Sequence, residues 1–293
     1  MARPRELRRR IRSVENTKKI TRTMEMVSTS KLKRAQDRVV SARPYAAALR
    51  DLLADLYAPE LADRFPLFRQ PPKEGLRRVA LIAITSNRGL CGAFNANLIR
   101  ETRRRLADYE QRKVAVDLHL VGKKGINYFR YVGRTAASQR LDIGDRPTPR
   151  HAVELVEPLV RQFEGGELDA VEVVYAHFKS AVSTPPETMR ILPITPPAQA
   201  VGRSGGRAVS ILKPSAEGIL QALIPLYVRN EMYRALVETA AAEHGARRTA
   251  MKNATDSAGD MIDLLRRTYN RARQAQITQE LAEIVGGAEA LKG

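Results

Sequence analysis

Residues 219–275 read ILQALIPLYVRNEMYRALVETAAAEHGARRTAMKNATDSAGDMIDLLRRTYNRARQA. Steps of four and three through this stretch pick out Ile219, Leu223, Leu226, Asn230, Tyr233, Val237, Ala240, His244, Arg247, Met251, Ala254, Ala258, Met261, Leu265, Thr268, Ala272 and Ala275. Thirteen of those seventeen positions are apolar, and no proline interrupts the run after Pro225. An apolar period of 3.5 residues holds one helix face against a partner helix and winds the pair left-handed. At about 1.5 Å per residue the stretch spans roughly 85 Å, longer than an ordinary domain, so it predicts a projecting rod.

The partner lies at the other end of the chain. The same spacing gives Leu7, Ile11, Val14, Lys18, Thr21, Glu25, Ser28, Leu32, Ala35, Val39, Ala42, Ala46, Leu49, Leu53 and Leu56. The polar exceptions are consecutive, from Lys18 to Ser28, and across them the apolar stripe slides back by one residue to Ile20, Met24 and Val27. Such a drift predicts a change in the buried face. Two separate amphipathic helices on a core would give similar stripes. Neither run, however, is broken where a globular helix of typical length stops.

Charge is uneven along the 293 residues. The net charge is +18, and residues 1–50 hold fifteen Lys or Arg against four acidic residues. A basic rod fits nucleic acid, an anionic membrane surface or an acidic protein partner. The interleaved aromatics of a single-strand binder are missing, and the chain has no Trp. Cys91 is the only cysteine, so no internal disulfide forms, and the four histidines show no ligand spacing. The expectation is therefore no metal and no cofactor. No apolar run reaches the roughly 18–20 residues of a membrane span. No apolar h-region follows the N-terminal charges, which excludes a secretory signal, and although the Arg-rich start superficially resembles a transit peptide, the heptads already begin at Leu7. The chain reads as soluble or peripheral.

Between the rods, strands alternate with helices. Val79–Thr85 is a continuous apolar, β-branched run, as in a strand buried on both faces. Helix is predicted over Phe94–Tyr109, after Lys123–Gly125 and over His151–Phe163, with a kink at Pro158. Further strands are predicted at Val114–Val121, Ala136–Leu141, Val171–Phe178 and Met189–Pro193. This alternation predicts a mostly parallel α/β domain. Pro193–Gly206 is rich in Pro and Gly and reads as a loop, and Pro225 should bend the helix that follows. The predicted organisation is residues 1–75 as the N-terminal coiled-coil helix and connector, 76–211 as the α/β domain, and 212–293 as the C-terminal coiled-coil helix.

Two loops of this domain invite a chemical reading. Residues 86–92, SNRGLCG, follow a buried strand and open a helix, where doubly wound folds bind phosphates. The segment lacks both glycine-rich phosphate patterns, so Gly89 and Gly92 read as turn residues and Cys91 as a small buried residue. Gly122–Gly125 reads as a solvated basic turn. No acid, base and nucleophile come together, so no catalytic residue is predicted.

Five motifs in order now carry a resemblance. Arg8–Ile11 with Asn16–Val27 and Ser30–Lys31 comes first, then Thr85–Gly92. Tyr233, Glu243–His244, Ala246–Arg247 and Ala250–Thr255 follow, and the last two are Tyr269–Ala275 and Ile277–Ala290. Over essentially its whole length the chain resembles the γ subunit of the F-type ATP synthase. That resemblance implies a central stalk whose antiparallel coiled coil enters the hexamer of α and β subunits, with the α/β domain beside the ε subunit and the c-ring. It implies a non-catalytic subunit that transmits rotation between the membrane c-ring and the catalytic β subunits in proton-driven ATP synthesis or ATP hydrolysis. The implied location is peripheral, on the cytoplasmic face of a bacterial plasma membrane. By motif position it assigns contacts with the β subunit to Met24, Arg247, Gln274 and Thr278. Asn87 stands where the family commonly has Asp, Lys213 where an acidic residue is usual, and Arg266–Arg267 where a more apolar pair is. A single cysteine excludes the thiol switch of chloroplast relatives. The alternative is a basic coiled-coil protein that binds nucleic acid, with affinity falling steeply in salt.

Overall fold

The computed structural model describes residues 4–57, 64–71, 75–181, 183–195 and 215–290. Two helices bracket the chain, α1 (Pro4–Leu56) and α5 (Ala216–Ala290). Between them come β1 (Arg78–Ile84), α2 (Phe94–Gln111), β2 (Ala115–Val121), α3 (Lys123–Tyr131), β3 (Ser138–Arg140), α4 (Pro149–Glu164), β4 (Ala170–Ala176) and β5 (Pro186–Leu192). The chain divides into two compact units, Thr29–Ala246 and a helical unit of Met1–Ser28 with Arg247–Gly293. Most of the predicted Pro193–Gly206 loop, and Lys213, lie outside the described residues.

In the first unit the sheet runs β3-β2-β1-β4-β5, parallel except for β5, which pairs antiparallel with β4. A parallel sheet needs cover on both faces, and alternation along β1 shows how it obtains it. Ala80, Ile82 and Ile84 pack with Leu155, Leu159 and Phe163 of α4 and with Leu49 and Leu53 of α1. Leu81 and Ala83 point the other way, toward Leu98 and Leu106 of α2, Ile126 and Phe129 of α3, and Leu32 and Val39 of α1. The unbroken apolar run at β1 is the sequence record of this two-sided burial.

Helix α4 begins two residues before the predicted His151, and its cap explains why. Pro149 occupies the first turn, the Thr148 hydroxyl accepts from the His151 amide at 3.4 Å, and the His151 ring accepts from the Thr148 amide at 3.2 Å. Helical structure is unbroken through both Pro158 and Pro225. Lys123–Gly125, read as a basic turn, is instead the first turn of α3.

Burying charge inside this unit requires partners, and each buried carboxylate has them. Glu172 of β4, 2% exposed, meets Arg105 of α2 at 2.5 Å and Arg190 of β5 at 3.0 Å. Burial alone would raise its pKa, but hydrogen bonding from Arg105, with other favourable contacts, carries it below the usual carboxylate range. Burial, reinforced by the neighbouring Glu172 carboxylate, pushes the Tyr109 phenol up to about 12. Where the β4 ladder ends, α5 supplies the missing acceptors. The Ala176 amide donates to Thr239 at 3.2 Å and the Phe178 amide to Glu238 at 3.2 Å, while Arg234 ties Glu238 and Glu231 at 3.0 Å each.

The N-terminal heptad holds along all of α1: every position from Leu7 to Leu56 is buried or half-buried. The predicted slide to Ile20, Met24 and Val27 does not occur: Met24 is half-buried, but Ile20 and Val27 turn outward. Those residues are 60% and 50% exposed, while Thr21 and Ser28 are buried at 9% and 3%. The regular period outweighs local hydrophobicity, because moving the stripe would twist the helix off its neighbour. On α5 the predicted seam is corrected in its second half. Met251, Ala258, Leu265 and Ala272 face inward as expected, but they alternate with Thr255, Ile262 and Tyr269 rather than with Ala254, Met261 and Thr268. Met261 is 52% exposed and Ile262 only 5%. Leu226, also assigned to the seam, is 42% exposed.

Candidate functional site

The helical unit reads as an antiparallel pair from its own contacts. The Arg8 guanidinium donates to the Tyr269 hydroxyl at 2.9 Å and lies 5.6 Å from the centre of its ring. Arg266 donates to Glu15 at 2.8 Å, and the Thr255 and Thr21 hydroxyls meet at 2.8 Å. As the α1 partner advances from residue 8 to 21, the α5 partner falls back from 269 to 255. Gly259 admits Lys18 to the seam: a Cβ there would lie 3.0 Å from the Lys18 ammonium nitrogen. A small residue opposite a long cation lets the helices approach while the charge reaches water.

The Thr21–Thr255 layer is a buried interhelical hydrogen bond of this unit. Each hydroxyl also returns to its own helix, Thr255 to the Met251 carbonyl at 2.8 Å and Thr21 to the Lys18 carbonyl at 3.1 Å. A shift of register would keep those two bonds but forfeit the one between the hydroxyls, so the pair favours a single register. The heptad contained Thr21, and the family motif contained Thr255. Their pairing escaped sequence reasoning because the α5 seam was followed by way of Ala254.

By this register, α1 begins opposite roughly the Ala272 turn of α5, and the rest of α5 beyond that turn overhangs. From Arg273 to Ala288 every residue is exposed. Ile277, Leu281, Ile284 and Val285 form an apolar stripe on this overhang, with exposures of 48–68%. Steps of four and three put them on one face. The outward face of the paired region carries Ile20, Met26 and Val27 as well.

The four residues assigned to β-subunit contact fall into two groups. Met24 is half-buried on α1 and Arg247 is 8% exposed on α5. Gln274 and Thr278 are exposed on the overhang, where the Thr278 hydroxyl donates to the Gln274 carbonyl at 3.0 Å. Arg247 and Gln274 are separated by roughly 40 Å along the helix, so they cannot grip one point.

In the sheet unit, the 85–92 loop is locked rather than open. The Thr85 hydroxyl accepts from the Gly125 amide at 2.9 Å and donates to the Val121 carbonyl at 2.9 Å. Asn87 accepts from the Lys123 amide at 2.9 Å and donates to the Leu141 and Ile143 carbonyls at 3.0 and 3.1 Å. Gly122, at φ +95°, is needed here, because a Cβ would sit 2.1 Å from the Thr85 carbonyl oxygen. Cys91 is buried, and the Asn95 amide lies 3.2 Å from its sulfur. Among the described residues no group of His, Cys, Asp or Glu is placed to hold a metal, and no helix is long and apolar enough to cross a membrane.

Comparison with known proteins covers the whole chain. A family model described as ATP synthase matches residues 3–291. The ATP synthase gamma chain of Gemmatimonas aurantiaca is 59% identical over 293 residues, covering 100% of both chains. That of Leptospira biflexa is 42% identical, covering 99% of this chain and 100% of its own. Among solved structures, a chain of the Tetrahymena thermophila mitochondrial ATP synthase central stalk and c-ring aligns with a TM-score of 0.60 at 26% identity, over 80% of this chain and 99% of that one. A chain of the Euglena gracilis mitochondrial ATP synthase shares the fold with a TM-score of 0.67 at 21% identity, over 98% and 94%.

Proposed function

The chain belongs to the ATP synthase gamma-chain family, and we propose that its helical unit is the part that grips the catalytic head. It is a non-catalytic, central-stalk subunit, a peripheral and non-spanning part of a membrane-bound complex, with the α and β subunits and the c-ring as partners. The nucleic-acid alternative has no support from these relatives. The carrying observation is the overhanging turn of α5 from Arg273 onward, which leaves an apolar stripe without cover in the chain itself. A ring of surrounding subunits would cover it and give up no other contact. Exposed apolar residues at helical spacing on an otherwise polar surface mark an interaction face.

In this reading Met24 and Arg247 meet the β subunit at one height, and Gln274 and Thr278 meet it or its neighbours roughly 40 Å away. Two separated contacts on a stiff rod resist tilting, so torque reaches the head as rotation about the axle. The ε subunit sits against the sheet unit within the 76–211 segment, and residues 1–75 and 212–293 supply the shaft. We place the complex on the cytoplasmic face of a bacterial plasma membrane.

Reconstitution tests the proposal. Mixing the chain with α and β subunits should give ATP hydrolysis that depends on it, and activity indifferent to the chain would refute the rotor role. Arg247→Ala should lower coupled turnover severalfold while the circular dichroism spectrum of the chain stays unchanged. Normal turnover, or loss of fold, would remove Arg247 from the contact.

A further inference from the structure

At the carboxyl ends of β1 and β2 the sheet unit contains a cleft of about 640 Å³. Its floor is apolar, from Ile84, Val121, Ile143 and Leu236, and its walls bring together α1, the 85–92 loop, the 142–146 loop and α5. Open α/β sheets bind ligands outside the carboxyl ends of their strands, and this volume suits a small molecule.

Charge in the cleft is unevenly committed. Three carboxylates line it, and each is already engaged. Asp145 pairs with Lys31, and Asp142 takes a fork of hydrogen bonds from Arg140 at 2.8 and 2.6 Å. Glu243 also has a partner within the protein. The lining guanidinium groups of Arg34, Arg38, Arg88 and Arg146, by contrast, make no hydrogen bond or ion pair among the described residues. They come from three different segments and converge on one cavity. Like charges gathered without counter-ions repel one another, so an anion entering among them relieves that repulsion as well as gaining its own contacts.

The backbone route to anion binding is closed here. The first amides of α3 donate to Asn87 Oδ1 at 2.9 Å, the Ser86 carbonyl at 3.1 Å and Thr85 Oγ1 at 2.9 Å. Recognition therefore falls to the arginines, whose planar forks match phosphate oxygens in pairs. We propose that this cleft binds a small di- or triphosphate anion through Arg34, Arg38, Arg88 and Arg146. The site goes beyond the rotor function and does not rest on it. It involves no bond making or breaking: the ligand is an effector held by charge. The apolar floor also has room for a nucleoside, and two sources share this chemistry: the phosphates of a nucleotide and inorganic pyrophosphate.

Calorimetric titration of the full-length chain with ATP, pyrophosphate and adenosine tests the site. ATP and pyrophosphate should bind with dissociation constants below about 1 mM, and adenosine should not bind. Tenfold tighter binding of ATP than of pyrophosphate identifies a nucleotide site, and equal binding an inorganic one; either supports the proposal. Arg38→Ala and Arg88→Ala should each weaken binding about tenfold, the loss of one charge-assisted contact. Arg103→Ala, on the exposed face of α2, should leave it unchanged, with circular dichroism confirming that all variants fold. No heat of binding at about 5 mM ligand, or equal weakening by all three substitutions, would overturn the proposal. So would an acidic peptide that displaces pyrophosphate and binds at least tenfold more tightly, because the cleft would then be a protein-docking surface.

Discussion

Replacing Thr21 and Thr255 by valine, singly and together, measures how firmly the coil is held in register. The two hydroxyls have two protons for three contacts: with each other at 2.8 Å, with the Met251 carbonyl at 2.8 Å and with the Lys18 carbonyl at 3.1 Å. Thr255→Val keeps the volume and removes two of those contacts, yet Thr21 still has the Lys18 carbonyl to fall back on. No buried polar group is stranded, so the cost is that of a neutral hydrogen bond, about 1 kcal/mol, rather than a full desolvation penalty of up to about 3 kcal/mol. Thr21→Val costs about the same, since Thr255 retains the Met251 carbonyl. With both replaced, two apolar groups of matching shape meet and stability should return to within about 0.5 kcal/mol of the parent. Urea unfolding of the four proteins, followed by helical ellipticity, gives a double-mutant cycle with an expected coupling of about 2 kcal/mol. In the reconstituted complex the double variant, stable but without a register-specific layer, should lose coupled synthesis before it loses stability. Coupling below about 0.3 kcal/mol, or single valines that stabilise, would refute the polar lock.

Glu172→Gln leaves Arg105 and Arg190 without their anion and should cost about 3 kcal/mol, the lower end of the range for a broken buried pair because Arg190 is partly in water. The Glu172 pKa is depressed in the folded state, so its contribution is present above the unfolded value of about 4.3 and disappears as pH falls through the folded value. Acid unfolding curves of the Gln variant should be correspondingly flatter. Gly122→Ala should prevent folding or cost more than about 3 kcal/mol, because its Cβ would strike the Thr85 carbonyl at 2.1 Å. Gly133→Ala, at φ +72° with open space around it, should cost only about 1 kcal/mol by thermal unfolding. Asn87→Asp forfeits both donors to the Leu141 and Ile143 carbonyls and should speed amide exchange across residues 141–146, while the Lys123 contact survives.

Much of the fold was legible because it rests on periods. The run at β1 announced a strand buried on both sides, and every heptad position of α1 is turned inward. The glycines of the loop after β1 pointed to a turn, and Gly92 takes a positive φ there, although the loop's locking by Thr85, Asn87 and Gly122 depends on segments some forty residues away in the chain. No local pattern encodes such a lock, because its partners are backbone groups, which every residue carries. The register layer had the same obstacle: a threonine in a helix is unremarkable until the other helix places a second hydroxyl against it.

By itself, then, the sequence determined two long helices, their 3.5-residue period, the parallel sheet between them and the family motifs. Tertiary structure decided which side of each stripe is buried. On α5 the choice lay between Ala254 and Thr255, Met261 and Ile262, Thr268 and Tyr269, adjacent residues of comparable apolar character. Helical geometry allows either side, and hydropathy separates them by little. The partner helix decides, because only one side brings Thr255 to Thr21, Arg266 to Glu15 and Tyr269 under Arg8 together. Across Lys18–Ser28 of α1 the same force turns Ile20 and Val27 outward, because a continuous seam with a neighbour outweighs the burial of two side chains.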